Sequence, residues 1–254
     1  MVRIVTTFIT SLLFAAGVLA PALISDASAA VPGAVPGAVP GNNSTEAVSV
    51  AAPVRVYSWN NIRSSSMSRL LADIDLVADY VAPRSGHVVL DATWLCGTSN
   101  DADLRKLNRQ VSYALSKGLE ASVVVGDPVL YSSAGPARID RLFTKLSRFN
   151  SLYPASRVSV VEVDAEPWGS AQWSSDSASL AVLWVAMIDR AVSYVPSGFD
   201  VVVAVPDWLH VSQPLMFAAA NRASALSVMA YKDSAWRTAL HFDAVVAVAS
   251  VPAI

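Results

Sequence analysis

From Val54 onward, short runs rich in valine and alanine alternate with longer stretches whose apolar residues recur at helical spacing, and this alternation limits the possible folds more than any other feature. The runs are Val54 to Trp59, His87 to Ala92, Ala121 to Gly126, Arg157 to Asp164, Asp200 to Val205, Ala225 to Ala230 and Ala244 to Ala249. Each is short and nearly continuously apolar, the pattern of strands buried on both faces of a parallel sheet. Between them lie four helical stripes: Leu70, Leu71, Ile74, Val77 and Val81; Leu104, Leu107, Val111, Ala114 and Leu115; Ile139, Leu142, Phe143, Leu146 and Phe149; and Leu180, Leu183, Trp184, Met187, Ile188 and Ala191. Asp101 and Ser177 stand where N-caps belong, and Pro154 and Pro196 follow helix ends. The crossovers Pro214 to Asn221 and Ser234 to Leu240 are shorter.

Strand alternating with helix predicts right-handed βαβ units on a parallel sheet. A closed (β/α)8 barrel of the TIM type accounts for the pattern better than an open doubly wound sheet. No glycine-rich phosphate turn follows the first strand, and polar or aromatic residues cluster after almost every strand. Seven runs are one short of eight, with the eighth strand and its helix missing, so the expectation is either a truncated relative of a longer protein or an open or incomplete barrel of about seven strands. Its first strand, Val54 to Trp59, and its last, Ala244 to Ala249, would then present unpaired edges prone to self-association.

The start of the chain is of another kind. Arg3, the apolar run Ile4 to Leu19 and the small residues Ala27-Ser28-Ala29 read as a secretory signal over residues 1–29. The run is interrupted by threonines, Ser11 and Gly17 and stops at Pro21, short of the roughly 20 residues a membrane span needs. The expectation is export, to the medium, the cell surface or the periplasm, with no stable span after cleavage. Residues 30–53 repeat Val-Pro-Gly at Val31, Val35 and Val39 and read as a flexible linker. Asn42 and Asn43 both satisfy the N-x-Ser/Thr pattern, which matters only in a host that glycosylates exported proteins. The barrel domain occupies residues 54–254. With 15% charged residues and a formal net charge of −2, the chain has no basic stripe for nucleic acid. Cys96 is the only cysteine, and His87, His210 and His241 are scattered, so no zinc motif, P-loop or other cofactor signature is read.

In a barrel the C-terminal ends of the strands form the functional face. That face receives Trp59 and Asn60, Asp91 and Trp94, Asp127, the run Asp164-Ala165-Glu166-Pro167-Trp168, Asp207 and Trp208, and Tyr231-Lys232-Asp233. Such a rim suits a carbohydrate ligand: aromatic faces stack on pyranose rings while Asp and Asn bind hydroxyls. The sharpest feature is Glu162-x-Asp164-x-Glu166. At the strand period of two, the three carboxylates share one face and Val161, Val163 and Ala165 the other. Crowded carboxylates repel one another, which raises the proton affinity of at least one, as a general acid requires. The competing reading is a half-exposed strand with a solvated acidic face, but the neighbouring run Val201 to Val205 does not alternate.

These residues resemble glycoside hydrolase family 18, the chitinase class. Glu162-x-Asp164-x-Glu166 is similar to that family's D-x-D-x-E strand, and Met229-Ala230-Tyr231 to its M-x-Y. The resemblance implies Glu166 as acid/base, Asp164 as the residue that orients the substrate's acetamido group, and Tyr231 as a residue that holds it. The D-x-E-P-W run also looks like uncharacterised bacterial glycosidase-like barrels. The sequence departs from the family at Glu162, where the family has Asp, at Lys232, where an acidic residue is usual, and in lacking an eighth strand with its Trp.

Two other readings remain. A retaining glycosidase would use Glu166 as acid and a second carboxylate as nucleophile, but the seventh run ends Ala247-Val248-Ala249-Ser250, which leaves Asp207 as a candidate. A secreted glycan-binding or surface protein would keep the rim without catalysis. Residues 1–52 are expected to add nothing to the folded core. Deleting them should change the unfolding free energy by less than about 1 kcal/mol in urea titrations, and a larger loss would place the domain boundary earlier.

Overall fold

The computed structural model describes residues 54–81 and 86–229 of the 254-residue chain. These residues form six parallel strands in the order of the sequence: β1 (Val54–Ser58), β2 (Gly86–Asp91), β3 (Glu120–Val125), β4 (Val160–Val163), β5 (Asp200–Pro206) and β6 (Ala225–Met229). Between them run α1 (Met67–Val81), α2 (Asp101–Ser116), α3 (Gly135–Leu152), α4 (Trp173–Val192) and the shorter α5 (Leu209–Ser212) and α6 (Pro214–Ala220). Each strand pairs with the next in register, for example Val124 with Glu162 and Glu162 with Val202. The fold is a (β/α) barrel of the TIM type, and the described residues are six consecutive units of it. The seventh run, Ala244 to Ala249, and the edge-association reading built on it lie outside the described residues.

The strands have a dry outer face, and all but β5, whose inward residues are Val202 and Ala204, carry polar residues on the inner one. Val88, Leu90, Val123, Val125, Val161, Val163, Val201, Val203, Val205, Leu226 and Val228 belong to one apolar core together with the helical stripes. That core holds Leu70, Ile74, Val77, Leu104, Leu107, Val111, Ile139, Phe143, Leu146, Trp184, Met187 and Ile188, all buried as their spacing predicts. Leu115 departs from its stripe and is exposed at the end of α2. Asn100, rather than Asp101, caps α2. Its side chain accepts from the Asp103 amide at 3.1 Å, and the Asp103 carboxylate accepts from the Asn100 amide at 3.3 Å. The break expected before Ser177 falls at Asp176, whose φ of −147° interrupts α4. One long apolar helix, Trp173–Ser197, is of a length and composition that would suit a bilayer. Its buried stripe of Leu180, Trp184, Met187, Ile188 and Ala191 instead packs it into the barrel wall.

Strand pairing places Arg55 and Tyr57 of β1, His87 and Val89 of β2, Ser122 and Val124 of β3, Glu162 of β4 and Ser227 of β6 on the other face. Their contacts show that this face is concave. In a flat sheet β1 and β6 would stand about 24 Å apart at the usual spacing of roughly 4.8 Å between strands. Yet the Tyr57 hydroxyl lies 3.5 Å from Ser227 Oγ and donates to Glu162 Oε1 at 2.7 Å. Arg55 Nη2 and Glu162 Oε2 are 2.9 Å apart, with both side chains almost wholly buried. Beside them, burial and then the Arg55 charge depress His87 to about 4, opposed by the Glu120 carboxylate 3.3 Å from Nδ1.

Removing one member of a buried ion pair strands the other charge, at a cost of about 3–5 kcal/mol. Glu162→Gln and Arg55→Met are each expected to fall in that range in urea unfolding. The double variant should lose less than the sum of the two, and strictly additive losses would mean that the two charges do not depend on one another.

Candidate functional site

Strand β4 ends at Val163, and the chain continues through Asp164 and Ala165 to Glu166, which opens a single 3-10 turn at Pro167–Gly169. Three contacts fix this corner. The Asp164 amide donates to the Val125 carbonyl at 2.9 Å, and Trp184 Nε1 of α4 donates to the Ala165 carbonyl at 2.7 Å. Gly126, at the end of β3, lies so close that a Cβ there would stand 2.7 Å from the Asp164 carbonyl oxygen. A side chain at residue 126 would push the two strand ends apart.

The three carboxylates differ in environment. Glu162 is 1% exposed, lies inside the barrel and is held by Arg55 and Tyr57. It sits below the mouth rather than on it. Asp164 is half-buried and its Oδ1 has no hydrogen-bond partner. Burial, first, pushes Asp164 up to about 7, followed by the Glu166 charge, then the Glu162 charge, then a hydrogen bond with Glu166 that requires a proton. Glu166 is exposed, and its Oε2 accepts from Trp168 Nε1 at 3.2 Å. Burial, with some repulsion from Glu162, also drives the Tyr57 hydroxyl far above its ordinary value.

Aromatic residues wall the β4–β5 side. Trp168 meets Trp208 edge-on at 5.7 Å, Trp173 edge-on at 6.5 Å and Trp184 at 6.4 Å. Trp208 keeps 38% of its surface open, and Trp59, stacked on Tyr57 at 5.8 Å, keeps 53%. Asp127 caps the 3-10 turn Pro128–Tyr131 by accepting from the Val129 amide at 2.8 Å. The Tyr131 hydroxyl is raised by burial first, then by the charges of Asp127 and Glu166, so it belongs to the same neighbourhood.

Other rim residues have structural duties. Asn60 donates to Asp73, which also accepts from Ser58 Oγ at 3.2 Å, and so ties the end of β1 to α1. Asp91 is buried and accepts from the Thr93 amide at 2.9 Å. Trp94, expected on the rim, is a core residue: the 3-10 turn Thr93–Cys96 folds it inward, 5% exposed, with Nε1 donating to the Asp91 carbonyl at 3.2 Å. Asp207 is also buried. Tyr231 and Asp233 lie outside the described residues. Among the described residues no three His, Cys, Asp or Glu side chains are grouped to hold a metal ion. Cys96 is a buried thiol pushed up to about 12 by burial, too high for a thiolate nucleophile.

The sequence reading missed Arg55, Tyr57, Tyr131 and Trp173. The alternation Arg55-x-Tyr57-x-Trp59 within the first run is the signal that marks the first two as inward-facing.

No family model matches the chain, and no curated protein does. Among solved structures, an exo-β-1,4-mannosidase from Opitutaceae bacterium strain TAV5 matches over 72% of this chain with a TM-score of 0.53 and 12% identity. The match covers 39% of the mannosidase, so this chain spans about two fifths of its length. A family 1 β-glucosidase from Thermotoga maritima matches at a TM-score of 0.43 and 15% identity over 55% of this chain and 37% of its own. The β-glycosidase BGL167 matches at 0.43 and 12% over 64% and 54%. At 12% identity the likeness to the mannosidase establishes a shared barrel fold alone, which agrees with the parallel order of the six strands.

Asp164 binds its proton more tightly folded than unfolded, so it stabilises the fold below about pH 4 and that stabilisation is lost as pH rises towards about 7. His87, depressed to about 4, acts oppositely, because stability is lost as pH falls from about 6.5 towards 4. The two slopes offset one another between about pH 4 and 6.5. Urea titrations at several pH values should therefore show the Asp164→Asn variant gaining stability as pH rises through that window. An Asp164→Asn profile as flat as that of the parent would contradict the raised proton affinity of Asp164.

Proposed function

We propose that the chain is an exported glycoside hydrolase in which Glu166 is the acid/base and Asp164 shares its proton. The observation that carries this reading is the Asp164–Glu166 pair at the end of β4, with Asp164 raised to about 7 beside an exposed carboxylate and a partly open aromatic wall. One proton held between two carboxylates near neutral pH is a reservoir for general-acid catalysis. Glu166, the more exposed of the two, gives the proton to the leaving glycosidic oxygen as the C–O bond breaks and its electron pair moves onto that oxygen. Asp164, left ionised, faces the positive charge that develops at the anomeric carbon. Trp208 and Trp59 supply stacking faces for sugar rings, while Asp127, at the end of β3, is placed to accept from a hydroxyl.

The finer assignment follows the resemblance to family 18. Asp164 would turn towards an N-acetyl group and hold its oxygen against the anomeric carbon, and Tyr231 would donate to the same group. The fold match to an exo-β-1,4-mannosidase supports a second reading, a β-mannoside cleaved with Glu166 still the acid and a second carboxylate as nucleophile. Both readings need Glu166 and part company on the substrate.

Chromogenic chitobiosides and β-mannosides assayed side by side separate them. Glu166→Gln should lower turnover at least about 10³-fold on whichever is cleaved, while oligosaccharide binding stays within about two-fold. Asp164→Asn should cost nearly as much and displace the pH profile. Unchanged turnover in Glu166→Gln would sink the assignment. A parent chain that binds oligosaccharide and cleaves neither substrate would favour the non-catalytic glycan-binding reading.

A further inference from the structure

We propose that Trp168 is a positioning residue for Glu166: its indole N–H occupies Oε2 of the carboxyl group, so that Oε1 is the oxygen that carries and delivers the proton. The inference rests on the reading of Glu166 as the acid, but the contact itself can be tested without turnover.

Glu166 lies in a turn, is exposed and would otherwise sample several rotamers, whereas a proton donor must point one oxygen at the bond to be cleaved. Trp168 Nε1 is 3.2 Å from Glu166 Oε2. The indole nitrogen is a donor only, so Oε2 must be the acceptor in that contact. In a neutral carboxyl group the carbonyl oxygen is the better acceptor, which leaves the hydroxyl at Oε1. The ring is itself immobilised. Trp208 and Trp173 meet it edge-on at 5.7 and 6.5 Å, and Trp184 packs at 6.4 Å. Trp184 also holds the Ala165 carbonyl at 2.7 Å, so the ring and the backbone of its carboxylate partner are anchored to the same buried indole of α4. That sharing ties the Trp168 ring and the peptide that precedes Glu166 to one buried indole, which distinguishes the contact from a chance surface hydrogen bond.

The groups around the carboxyl are Asp164 and, deeper, Glu162 on the β4 side, and Asp127 and Tyr131 on the β3 side. None is a cation, and besides a protonated Asp164 and the Tyr131 hydroxyl, Trp168 offers Glu166 its indole N–H, 3.2 Å from Oε2. Loss of that N–H should let the carboxyl group rotate.

Intrinsic fluorescence of the full chain tests the contact directly. A neutral carboxyl group touching an excited indole accepts charge more readily than a carboxylate does, so emission should fall as Glu166, the carboxyl group that the Trp168 indole touches, takes up a proton. That step should be present in the parent and absent from both Trp168→Phe and Glu166→Gln. Phenylalanine keeps the ring packing and removes only the N–H, and Glu166→Gln approaches the same contact from an exposed position where folding is not at stake. In kinetics, Trp168→Phe should lower kcat about 10- to 100-fold with KM within about two-fold. A parent without the step, or a step that survives in Trp168→Phe, overturns the proposal. If Glu166→Gln leaves turnover unchanged while the step vanishes in both variants, the catalytic reading fails and the contact stands. If turnover is lost in Glu166→Gln but the step survives in Trp168→Phe, the positioning role fails and the catalytic reading stands.

Discussion

The Arg55–Glu162 pair sets the terms for the rest of the molecule. Both side chains are almost wholly out of water, and they come from β1 and β4, which only a curled sheet brings within 2.9 Å. An apolar interior would have asked less of the fold, since replacing buried ion pairs by packed hydrophobic groups is often neutral or stabilising. What the charges add is a requirement for one curvature: two residues that cannot be left unpaired meet only when β1 faces β4 across the interior. Tyr57 strengthens the requirement by donating to the same carboxylate from the same strand. The outer face makes no comparable demand, because valines on parallel strands pack under helices in many arrangements.

Above that interior the site is a matter of where side chains leave the strands. Asp91 and Asp127 both sit at strand ends, and both spend a carboxylate oxygen on the amide two residues ahead, which starts a 3-10 turn. In the first case the turn carries Trp94 into the core; in the second it places Tyr131 within reach of the Asp127 and Glu166 charges. The same local device therefore removes one aromatic ring from the rim and adds another. After β4 the turn begins at Glu166 itself and swings Trp168 back onto it, leaving the carboxylate exposed but anchored.

These differences explain what the sequence discloses and what it conceals. The strands were legible because burial on both faces leaves little room for polar residues, and the helices because Trp184, Met187 and Ile188 and their equivalents recur on one side. Strand parity puts Glu162 on the inward face, where the pairing has it; Asp164 and Glu166, expected on the same face, lie beyond Val163, the last residue of β4, and Glu166 opens a turn. Depth was not legible: Glu162 lies two residues, about 7 Å, further into the barrel than Asp164 and finds a partner there that the rim could not offer. That partner was hidden because Arg55 and Glu162 are more than a hundred residues apart, and nothing local to either says that β1 and β4 face one another. Trp94 was misplaced for the opposite reason, a short-range turn that overrides the outward direction of a strand end.

The three carboxylates at the β4 corner then differ in what surrounds each. Glu162 has a guanidinium and a tyrosine hydroxyl in the dry interior, so its charge is met where solvation is poorest. Glu166 has open solvent and an indole N–H. Asp164 has neither: it is half-buried between them, one of its oxygens has no partner, and both neighbours repel its charge. A proton is the least costly counter-charge available there, and it settles on the residue adjacent to the one carboxylate that can reach a substrate. Burial and the charge of Glu166 do most to hold that proton, and the charge of Glu162, paired with Arg55 deeper in the barrel, adds to them from below.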